Sequence, residues 1–462
     1  MLQKWFGPFT FYREALSIAL PVMLQQFIMS MVSLIDNFMV AGLGDATMAA
    51  VNVANQINFV HLVAINTVCG AGGIYLAQFK GAGDGEGMKH AYRFKILFTC
   101  AASGVYSLLC WTMPEEMLGV MTKGNAAQDA IVFEGARYIK LTAFTLFPAA
   151  ISASVGSAFR EMGRPKVPLA ISACATGVNT FGNWLLIYGN LGAPRLEAEG
   201  AAIATILARG FEALLFLGYA HFRRPDFFVG FRRILAVNGA LIKEILGKSG
   251  MIFASEASWI SSETIMTAIF NGRGGAEVVA GMAAGWTIAN VFFLLFGGIW
   301  TTAAVLVGGT LGAGNLDEAR RRAGWLTSGS AAAGGIVAVF GGVFAVLAVP
   351  LVFANLTDSA RSIALGLVFV ILVYLPFWGI LNAMFAISRA GGDAALGMYT
   401  DLSVNTLLFV PGCFLLAWKT GLDPVRMFAI LKVTDFLKIL VARYFLKKER
   451  WVRNLTKPQE RI

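Results

Sequence analysis

Residues 331–353 read AAAGGIVAVFGGVFAVLAVPLVF, which is 23 consecutive residues without a charged or hydrogen-bonding side chain. A membrane-spanning helix needs about 20 apolar residues, and we place such a span at 323–350. The whole chain has the same character, since 57% of its 462 residues are hydrophobic and only 14% are charged. Soluble proteins carry about 25% charged residues. The composition excludes a soluble globular, disordered or fibrous protein and predicts a polytopic membrane protein.

Apolar runs separated by short polar breaks predict twelve spans. They lie at about 14–40, 48–77, 93–113, 135–158, 165–189, 199–221, 243–270, 277–310, 323–350, 362–386, 394–418 and 424–446.

The distribution of Lys and Arg supports this number of spans, because short cytoplasmic loops are enriched in both. With the N-terminus inside and basic residues near the span ends counted with the adjoining loops, 25 of the 37 basic residues fall on the inner side, 8 on the outer side and four deeper within spans. Both termini are therefore expected to be cytoplasmic. The net charge of +10 comes from short clusters between apolar stretches rather than one basic face. The lipid bilayer, and not nucleic acid, is the expected partner.

Two sequence motifs recur at a nearly constant offset. Lys80-Gly-Ala-Gly-Asp, after the second span, returns 231 positions later as Leu311-Gly-Ala-Gly-Asn. Val178-Asn-Thr in the fifth span returns 226 positions later as Val404-Asn-Thr. This spacing predicts two six-helix halves in tandem, with the same orientation in the membrane. Parallel halves related by an axis along the membrane normal are a transporter architecture, with the substrate bound between the lobes.

The predicted fold is therefore an all-α membrane protein with twelve transmembrane helices in two six-helix lobes related by a pseudo-two-fold axis. We expect an N-lobe at 1–221, a cytoplasmic linker at 222–242, a C-lobe at 243–446 and a basic cytoplasmic tail at 447–462. The N-terminus lacks a cleavable leader pattern, so the first helix is expected to be retained. Five cysteines without a CxxC pair are expected to be small core residues: Cys69, Cys100, Cys110, Cys174 and Cys413.

Ionisable side chains inside a membrane are costly and mark functional sites by default. The acidic residues within the predicted spans are Asp36, Glu212, Glu256, Glu263, Asp401 and Asp435.

Asp36 has no basic residue within a helical turn. Since burial disfavours a charged carboxylate, Asp36 should hold a proton or bind a cation; the alternative is a neutral acid that hydrogen-bonds to neighbouring helices. Glu256 and Glu263 lie seven residues apart on one helix face. Glu256 has no local cationic partner, which makes it the stronger candidate of the two.

The other acids have local explanations. Glu212 lies three residues from Arg209, and Asp435 lies three residues from both Lys432 and Lys438. Both patterns are typical of structural ion pairs. Asp401 begins a turn of the eleventh helix, where capping, lobe packing and transport chemistry all remain open.

Neutral polar residues supply further candidates. Asn179 and Asn183 lie one helical turn apart and present two carbonyl oxygens, which suits a hard cation or a protonated carboxylate; inter-helix hydrogen bonding is the alternative. Residues that could line a substrate cavity are Gln25, Asn55, His61, Trp259, Trp286 and Asn382, of which His61 is more typical of a structural histidine.

Motifs of energy-coupled or hydrolytic enzymes are not found. The sequence has no Walker A motif, no HExxH, no GxSxG and no Cys/His cluster with metal-ligand spacing. An ATP-driven pump and a membrane-embedded enzyme are therefore disfavoured. Secondary transport needs no cofactor beyond a coupling ion, H+ or Na+.

Several segments together are typical of one family. They are Leu20-Pro-Val with Gln25, Ile35-Asp-Asn-Phe-Met-Val-Ala-Gly-Leu-Gly, Gly163-Arg-Pro-Lys-Val-Pro, the run from Val178 to Pro194, Gly200-Ala-Ala-Ile-Ala-Thr, Leu311-Gly-Ala-Gly-Asn and Trp451-Val-Arg-Asn-Leu-Thr. Along almost its whole length, the chain resembles the multidrug and toxic compound extrusion (MATE) family. The resemblance implies a monomeric antiporter of the bacterial inner membrane, which exports amphipathic, often cationic small molecules in exchange for H+ or Na+.

The resemblance also implies a cation site in the N-lobe. Family members carry an aspartate on helix 1, an asparagine and an aspartate one turn apart on helix 5, and a threonine on helix 6. The matching residues are Asp36, Asn179, Asn183 and Thr205. Asn183 departs from the pattern because the second carboxylate is missing. This favours H+ as the coupling ion, with Na+ at Asp36, Asn179 and Asn183 as the alternative.

In the C-lobe, one branch of the family carries Asn-Glu-x-x-Trp on helix 7. Ser255-Glu256-Ala-Ser-Trp259 matches it with Ser for Asn. The apolar part of the tenth helix has no acid, so coupling through the C-lobe is expected to rest on Glu256. A flippase for lipids or lipid-linked oligosaccharides is the alternative function; it predicts a cationic cavity, whereas few arginines lie within the predicted spans.

Overall fold

The computed structural model describes residues 6–41, 45–123, 128–236 and 238–457, and within these ranges the chain is helical without β-strands. The α-helices are α1 (Phe9–Ala41), α2 (Asp45–Ala82), α3 (Gly85–Thr112), α4 (Pro114–Thr122), α5 (Gln128–Thr142), α6 (Leu146–Glu161), α7 (Lys166–Tyr188), α8 (Glu197–Arg223), α9 (Gly239–Arg273), α10 (Ala276–Thr302), α11 (Gly309–Gly312), α12 (Leu316–Val352), α13 (Asp358–Ala390), α14 (Ala395–Val404), α15 (Val410–Lys419), α16 (Pro424–Lys432) and α17 (Thr434–Lys447).

The helices occupy the predicted spans. In the described ranges, nine helical segments are long and apolar enough to cross a membrane. The three other predicted spans are also helical and correspond to α7, α9 and the α16–α17 pair. The twelfth span differs from the prediction of one continuous helix, because its two helices are separated at Val433.

Three other predicted spans are interrupted by short turns of different helical geometry. A 3-10 turn at Ala143–Thr145 separates α5 from α6. π-helical turns join α10 to α11 at Ala303–Gly308 and α14 to α15 at Asn405–Phe409. Such π turns are frequent at functional sites. The second one begins at Asn405, whose Nδ2 donates to Ser258 Oγ at 3.2 Å.

The chain forms two compact units. The N-terminal unit contains Leu24–Lys80 and the described residues of Asp84–Ser249, and the C-terminal unit contains the described residues up to Met23, Gly81–Gly83 and those from Gly250 onward. The start of α1 packs in the C-terminal unit, where Tyr12 Oη donates to Trp325 O at 3.2 Å. Helices α1 and α9 therefore each contribute residues to both units.

The repeated Gly-Ala-Gly motif forms the same turn twice. Gly83 and Gly314 have φ angles of +71° and +83°, a left-handed conformation that glycine adopts without steric cost. Asp84 follows the first turn and caps α3, since its carboxylate accepts a hydrogen bond from Gly87 N at 2.9 Å. Asn315 occupies the same place before α12. The sequence repeat is therefore also a repeat of local structure.

Two parts of the sequence interpretation are modified by burial. Cys69, Cys110 and Cys413 are buried as predicted, but Cys100 is only partly buried and Cys174 is exposed, so the prediction of a core residue is wrong for Cys174. The predicted tail packs on its own unit as far as it is described: Trp451 is buried, and Asn454 Nδ2 donates to Gly312 O at 3.0 Å. Residue 237 of the predicted linker and residues 458–462 of the tail lie outside the described residues.

Candidate functional site

A cavity of about 330 Å³ in the N-terminal unit lies between α1, α7 and α8, and Leu62 of α2 also lines it. Its polar lining includes Asp36, Asn179, Thr205 and Glu212. Asp36 lies in α1 (Phe9–Ala41), one of the helices long and apolar enough to cross a membrane. The cavity therefore brings an acidic group of a spanning helix together with the side chains of two neighbouring helices.

Amide groups are the direct partners of Asp36. Asn183 Nδ2 donates to Asp36 Oδ1 at 2.6 Å. The hydrogen-bonding groups around Asn179 fit the orientation of its side-chain amide in which the nitrogen faces Asp36. In that orientation the nitrogen donates to both carboxylate oxygens at 3.2 Å. The other end of that amide lies 3.3 Å from Thr205 Oγ1. The structure thus brings together all four residues that the resemblance implies for the cation site.

The second acid of this cavity is compensated by a cation. Arg209 Nη1 forms the expected ion pair with Glu212 Oε2 at 2.9 Å. Ser172 Oγ donates to Glu212 Oε1 at 2.8 Å, and Gln25 Nε2 donates to Ser172 Oγ at 2.9 Å. Among the described residues, no cationic side chain forms an ion pair with Asp36, although Arg209 lines the same cavity. Of the two carboxylates that line this cavity, Asp36 is therefore the one without an ion-pair partner among the described residues.

One acceptor beside Asp36 is unused. Asn183 is buried, and its Oδ1 has no hydrogen-bond partner among the described residues. A buried acceptor without a partner costs about 1–3 kcal/mol. Hard cations bind to oxygen ligands, and this amide oxygen and the Asp36 carboxylate are both of that kind. The carboxylate is also a group that can bind a proton.

A second cavity, of about 270 Å³, lies within the C-terminal unit. Tryptophan and phenylalanine rings form much of its wall, and charged side chains from α9, α13, α14, α16 and α17 also reach it. The charged residues are Glu256, Glu263, Asp401, Asp435, Arg389, Lys432 and Lys438. The cavity combines aromatic faces with four carboxylates and three cations.

Glu256 has no local cationic partner, but it is paired with an arginine of another helix. Arg389 Nη1 and Nη2 donate to Glu256 Oε1 at 3.1 and 3.0 Å. Sequence inspection missed this pair because the residues are 133 positions apart. Only the fold brings these two residues, one on α9 and one on α13, together.

The other three acids also line this cavity. That coupling through the C-lobe rests on Glu256 stays a prediction. Glu263 forms an ion pair with Lys432. Lys438 Nζ lies 3.4 Å from Asp401 Oδ1 and 3.5 Å from Asp435 Oδ1. Asp435 thus shares one lysine with Asp401, whereas Lys432 pairs with a different acid.

The position of Asp401 is also different from a helix-terminus cap. Asp401 lies within α14, is buried, and accepts a hydrogen bond from Ser255 Oγ at 2.5 Å. The residue spacing did contain a signal for this cluster: Lys432, Asp435 and Lys438 recur every three residues, as on one face of a helix. Their partners on other helices could not be read from that spacing.

The remaining sequence candidates fall into two groups. Trp259, Trp286 and Asn382 line the cavity of the C-terminal unit. Asn55 is exposed, while His61 is buried and lies 2.8 Å from Ser103 Oγ through its Nε2. Asn55 and His61 line neither of the two cavities described here.

Comparison with known proteins gives one consistent result. The MatE family model matches the chain twice, at residues 21–185 and 252–415. The probable multidrug resistance protein NorM of Thermotoga maritima is 24% identical over 318 residues, which cover 68% of this chain and 67% of that protein. The NorM protein of Aromatoleum aromaticum is 31% identical over 247 residues, covering 52% and 51% of the two chains. The matched part thus spans about two thirds or less of these relatives.

Solved structures extend the likeness to the whole fold. The Vibrio cholerae MATE transporter VcmN in its bent form has a TM-score of 0.83 at 17% identity, covering 96% of this chain and 99% of that one. A MOP superfamily transporter from Pyrococcus furiosus has a TM-score of 0.82 at 16% identity over 99% of both chains. These likenesses confirm the predicted twelve-helix, two-lobe membrane fold. Because one family model matches both halves of a chain with this fold, the protein belongs to the MatE family of multi-pass membrane transporters.

Proposed function

We propose that the protein is a secondary antiporter that exports amphipathic aromatic cations in exchange for H+ taken up at Asp36. The observation that carries the proposal is the environment of Asp36: it lies within an apolar helix, lines a cavity and is held by amide donors. The relatives named as multidrug resistance proteins support export of small molecules. The twofold family match supports alternating access between two lobes.

Competition at one carboxylate would couple the two fluxes. A ligand shifts a conformational equilibrium only by its difference in affinity for the two states. A proton and an organic cation cannot both neutralise Asp36, so uptake of one expels the other. The proton would enter from the outer side and leave to the cytoplasm, the side on which the distribution of Lys and Arg predicts both termini.

The residues around Asp36 favour H+ over Na+. Asn183 replaces a second carboxylate, and the neighbouring Glu212 is already paired with Arg209. One carboxylate with neutral amides attracts Na+ more weakly than two carboxylates do. The alternative function, a flippase, predicts a cationic cavity. The cavity of the C-terminal unit does not support it, because four carboxylates line this cavity beside three cations.

Reconstituted transport tests the proposal. Purified full-length protein in liposomes should move ethidium when a proton gradient is imposed, and should not respond to a Na+ gradient of the same size at constant pH. Liposomes without protein provide the background rate. Ethidium movement that is equal with and without both gradients would reject antiport.

Restoring the second carboxylate should recruit Na+. In Asn183→Asp, a carboxylate replaces the amide that lies 2.6 Å from Asp36 Oδ1. We expect the Na+-driven rate of ethidium transport to rise about fivefold or more, since a coupling free energy of about 1 kcal/mol corresponds to that factor. The measurement is the initial rate under an inward Na+ gradient at constant pH.

The exposed Asn271, near the end of α9, provides the control variant Asn271→Asp. It adds a negative charge outside the cavity and should leave the Na+ response at the wild-type level. A Na+ response of Asn183→Asp equal to wild type, in protein that still transports under a proton gradient, would contradict the electrostatic explanation of ion choice.

A further inference from the structure

Arg389 occupies a place in the C-terminal cavity that has the chemistry of an organic-cation site. Its guanidinium carbon lies 4.4 Å from the ring centroid of Trp300, and its two terminal nitrogens bond to Glu256. A carboxylate beside an aromatic face is the combination that binds organic cations. Trp300 is fixed in turn, because its Nε1 donates to Asn382 Oδ1 at 3.1 Å.

The pair between Arg389 and Glu256 lacks the geometry of a strong one. The strongest arginine–carboxylate pairs use two parallel bonds to the two oxygens. Here both bonds end on Oε1 of Glu256, and Oε2 takes no part in the pair. Arg389 Nε is buried and has no hydrogen-bond partner among the described residues. The guanidinium is therefore incompletely satisfied where it lies.

A second internal cation in the same cavity shows the contrast. Lys432 pairs with Glu263 and lies 4.9 Å from the Phe409 ring and 5.3 Å from the Phe428 ring. Its side chain is 6% exposed and that of Glu263 is 19% exposed. The side chains of Arg389 and Glu256 are 13% and 35% exposed. Of the two pairs, the one with Arg389 is the more exposed.

The size of the cavity is also consistent with an arginine side chain that occupies part of a ligand site. Binding pockets for drug-sized ligands measure about 300–1,000 Å³. The cavity is about 270 Å³ with Arg389 in place. Withdrawal of the arginine side chain would enlarge it and would expose the Glu256 carboxylate and the Trp300 face at the same time.

We propose that Arg389 is a tethered cation that fills the Glu256–Trp300 subsite when no substrate is bound, and that a transported aromatic cation binds there by displacing it. This inference rests on the proposed export of organic cations and gives them a second binding site, in the C-terminal unit, besides the one at Asp36. Arg389 would then weaken substrate binding, because the apparent Kd equals the intrinsic Kd divided by the fraction of molecules in which the subsite is open. It would also keep Glu256 compensated in the empty transporter, where an unpaired carboxylate is costly.

Binding of ethidium to the purified full-length protein, measured by fluorescence polarisation at pH 8, tests the proposal. Arg389→Gln removes the internal competitor, so we expect its Kd for ethidium to be about tenfold lower than that of wild type, as for a subsite that is open in about a tenth of wild-type molecules. Arg389→Lys keeps the charge but loses the planar guanidinium, and should have an intermediate Kd. In Arg389→Gln, added ethylguanidinium should fill the vacated subsite and raise the Kd again.

The double variant Arg389→Gln/Glu256→Gln is the matched control. It should bind ethidium no more tightly than Glu256→Gln alone, because the gain depends on the freed carboxylate. An unchanged or higher Kd in Arg389→Gln, or an equal gain in the double variant, would overturn the role of Arg389. If Arg389→Gln does not yield monodisperse protein, Arg389→Lys decides, and a Kd equal to or above that of wild type counts against the proposal.

These outcomes are separable from those of the proposed function. Wild-type protein that moves ethidium under a proton gradient, together with Arg389→Gln that binds it no more tightly, would refute the tethered cation and leave antiport standing. Wild-type protein that neither binds nor moves ethidium would refute both.

Discussion

Asp36→Asn is expected to reduce proton-driven ethidium export by about 5- to 150-fold, the range given by a coupling free energy of about 1–3 kcal/mol. Asparagine has nearly the shape of aspartate, so the packing of α1 against α7 should be retained. The variant cannot exchange a proton for a cation at this position, and Asn183, which now donates to Asp36 Oδ1, would keep at most one acceptor there. Initial rates in liposomes under a fixed proton gradient provide the measurement.

Two variants control for Asp36→Asn. Asp36→Glu keeps a titratable carboxyl group and should retain part of the proton-driven rate. Glu116→Gln removes an exposed carboxylate of α4 and should behave as wild type. Full proton-driven export by Asp36→Asn would remove Asp36 from the mechanism and with it the function proposed above.

Lys95→Met is expected to destabilise the N-terminal unit by about 3–5 kcal/mol, the cost of leaving one partner of a buried ion pair without the other. Lys95 Nζ lies 2.6 Å from Glu161 Oε2, and the two side chains are 0% and 10% exposed. The glycines at 72 and 73 of α2 leave room for this pair: a Cβ on Gly72 would lie 2.5 Å from Lys95 Cγ, and one on Gly73 would collide with a Glu161 carboxylate oxygen. Thermal unfolding in detergent, followed by the monodisperse fraction after heating, measures the loss.

The double variant Lys95→Met/Glu161→Leu should recover most of that stability, because an apolar pair of similar volume often replaces a buried ion pair without loss. Lys89→Met is the matched control on the same helix. Lys89 pairs with Glu86 at the surface, where their side chains are 34% and 68% exposed, and exposed pairs contribute about 0–1 kcal/mol. A double variant as unstable as Lys95→Met would show that the apolar stems, and not the charges, hold these helices together.

The helical architecture could be predicted from the sequence because the thickness of the bilayer sets the length of a membrane-spanning helix. Apolar runs of that length can be found along the chain. The repeated Gly-Ala-Gly motif predicted tandem halves. Gly83 and Gly314, the last glycines of its two copies, share one backbone conformation. The break at Val433 within the last span was missed, since an apolar run does not indicate where a helix is interrupted.

The candidate sites were predictable to different degrees. Asp36, Asn179, Asn183 and Thr205 were found through family resemblance. Three of them line one cavity, and Asn183 is hydrogen-bonded to Asp36 beside it. In the other unit, sequence reasoning selected Glu256 and found no local cation for it, and it paired Asp435 with neighbouring lysines, of which Lys438 does lie beside it. Both interpretations considered only neighbours within two helical turns.

The sequence by itself determined that this chain crosses a membrane many times, repeats once, and places acids where lipid makes charge expensive; these properties depend on residue type and local spacing. Only the tertiary structure decided which charge meets which, because partners such as Glu263 and Lys432 are 169 positions apart. Contacts between helices depend on packing in three dimensions, and no periodicity along one helix records the neighbour that it will meet. The tertiary structure therefore distinguishes Asp36, whose carboxylate accepts hydrogen bonds from amides, from Glu256, whose carboxylate is paired with an arginine.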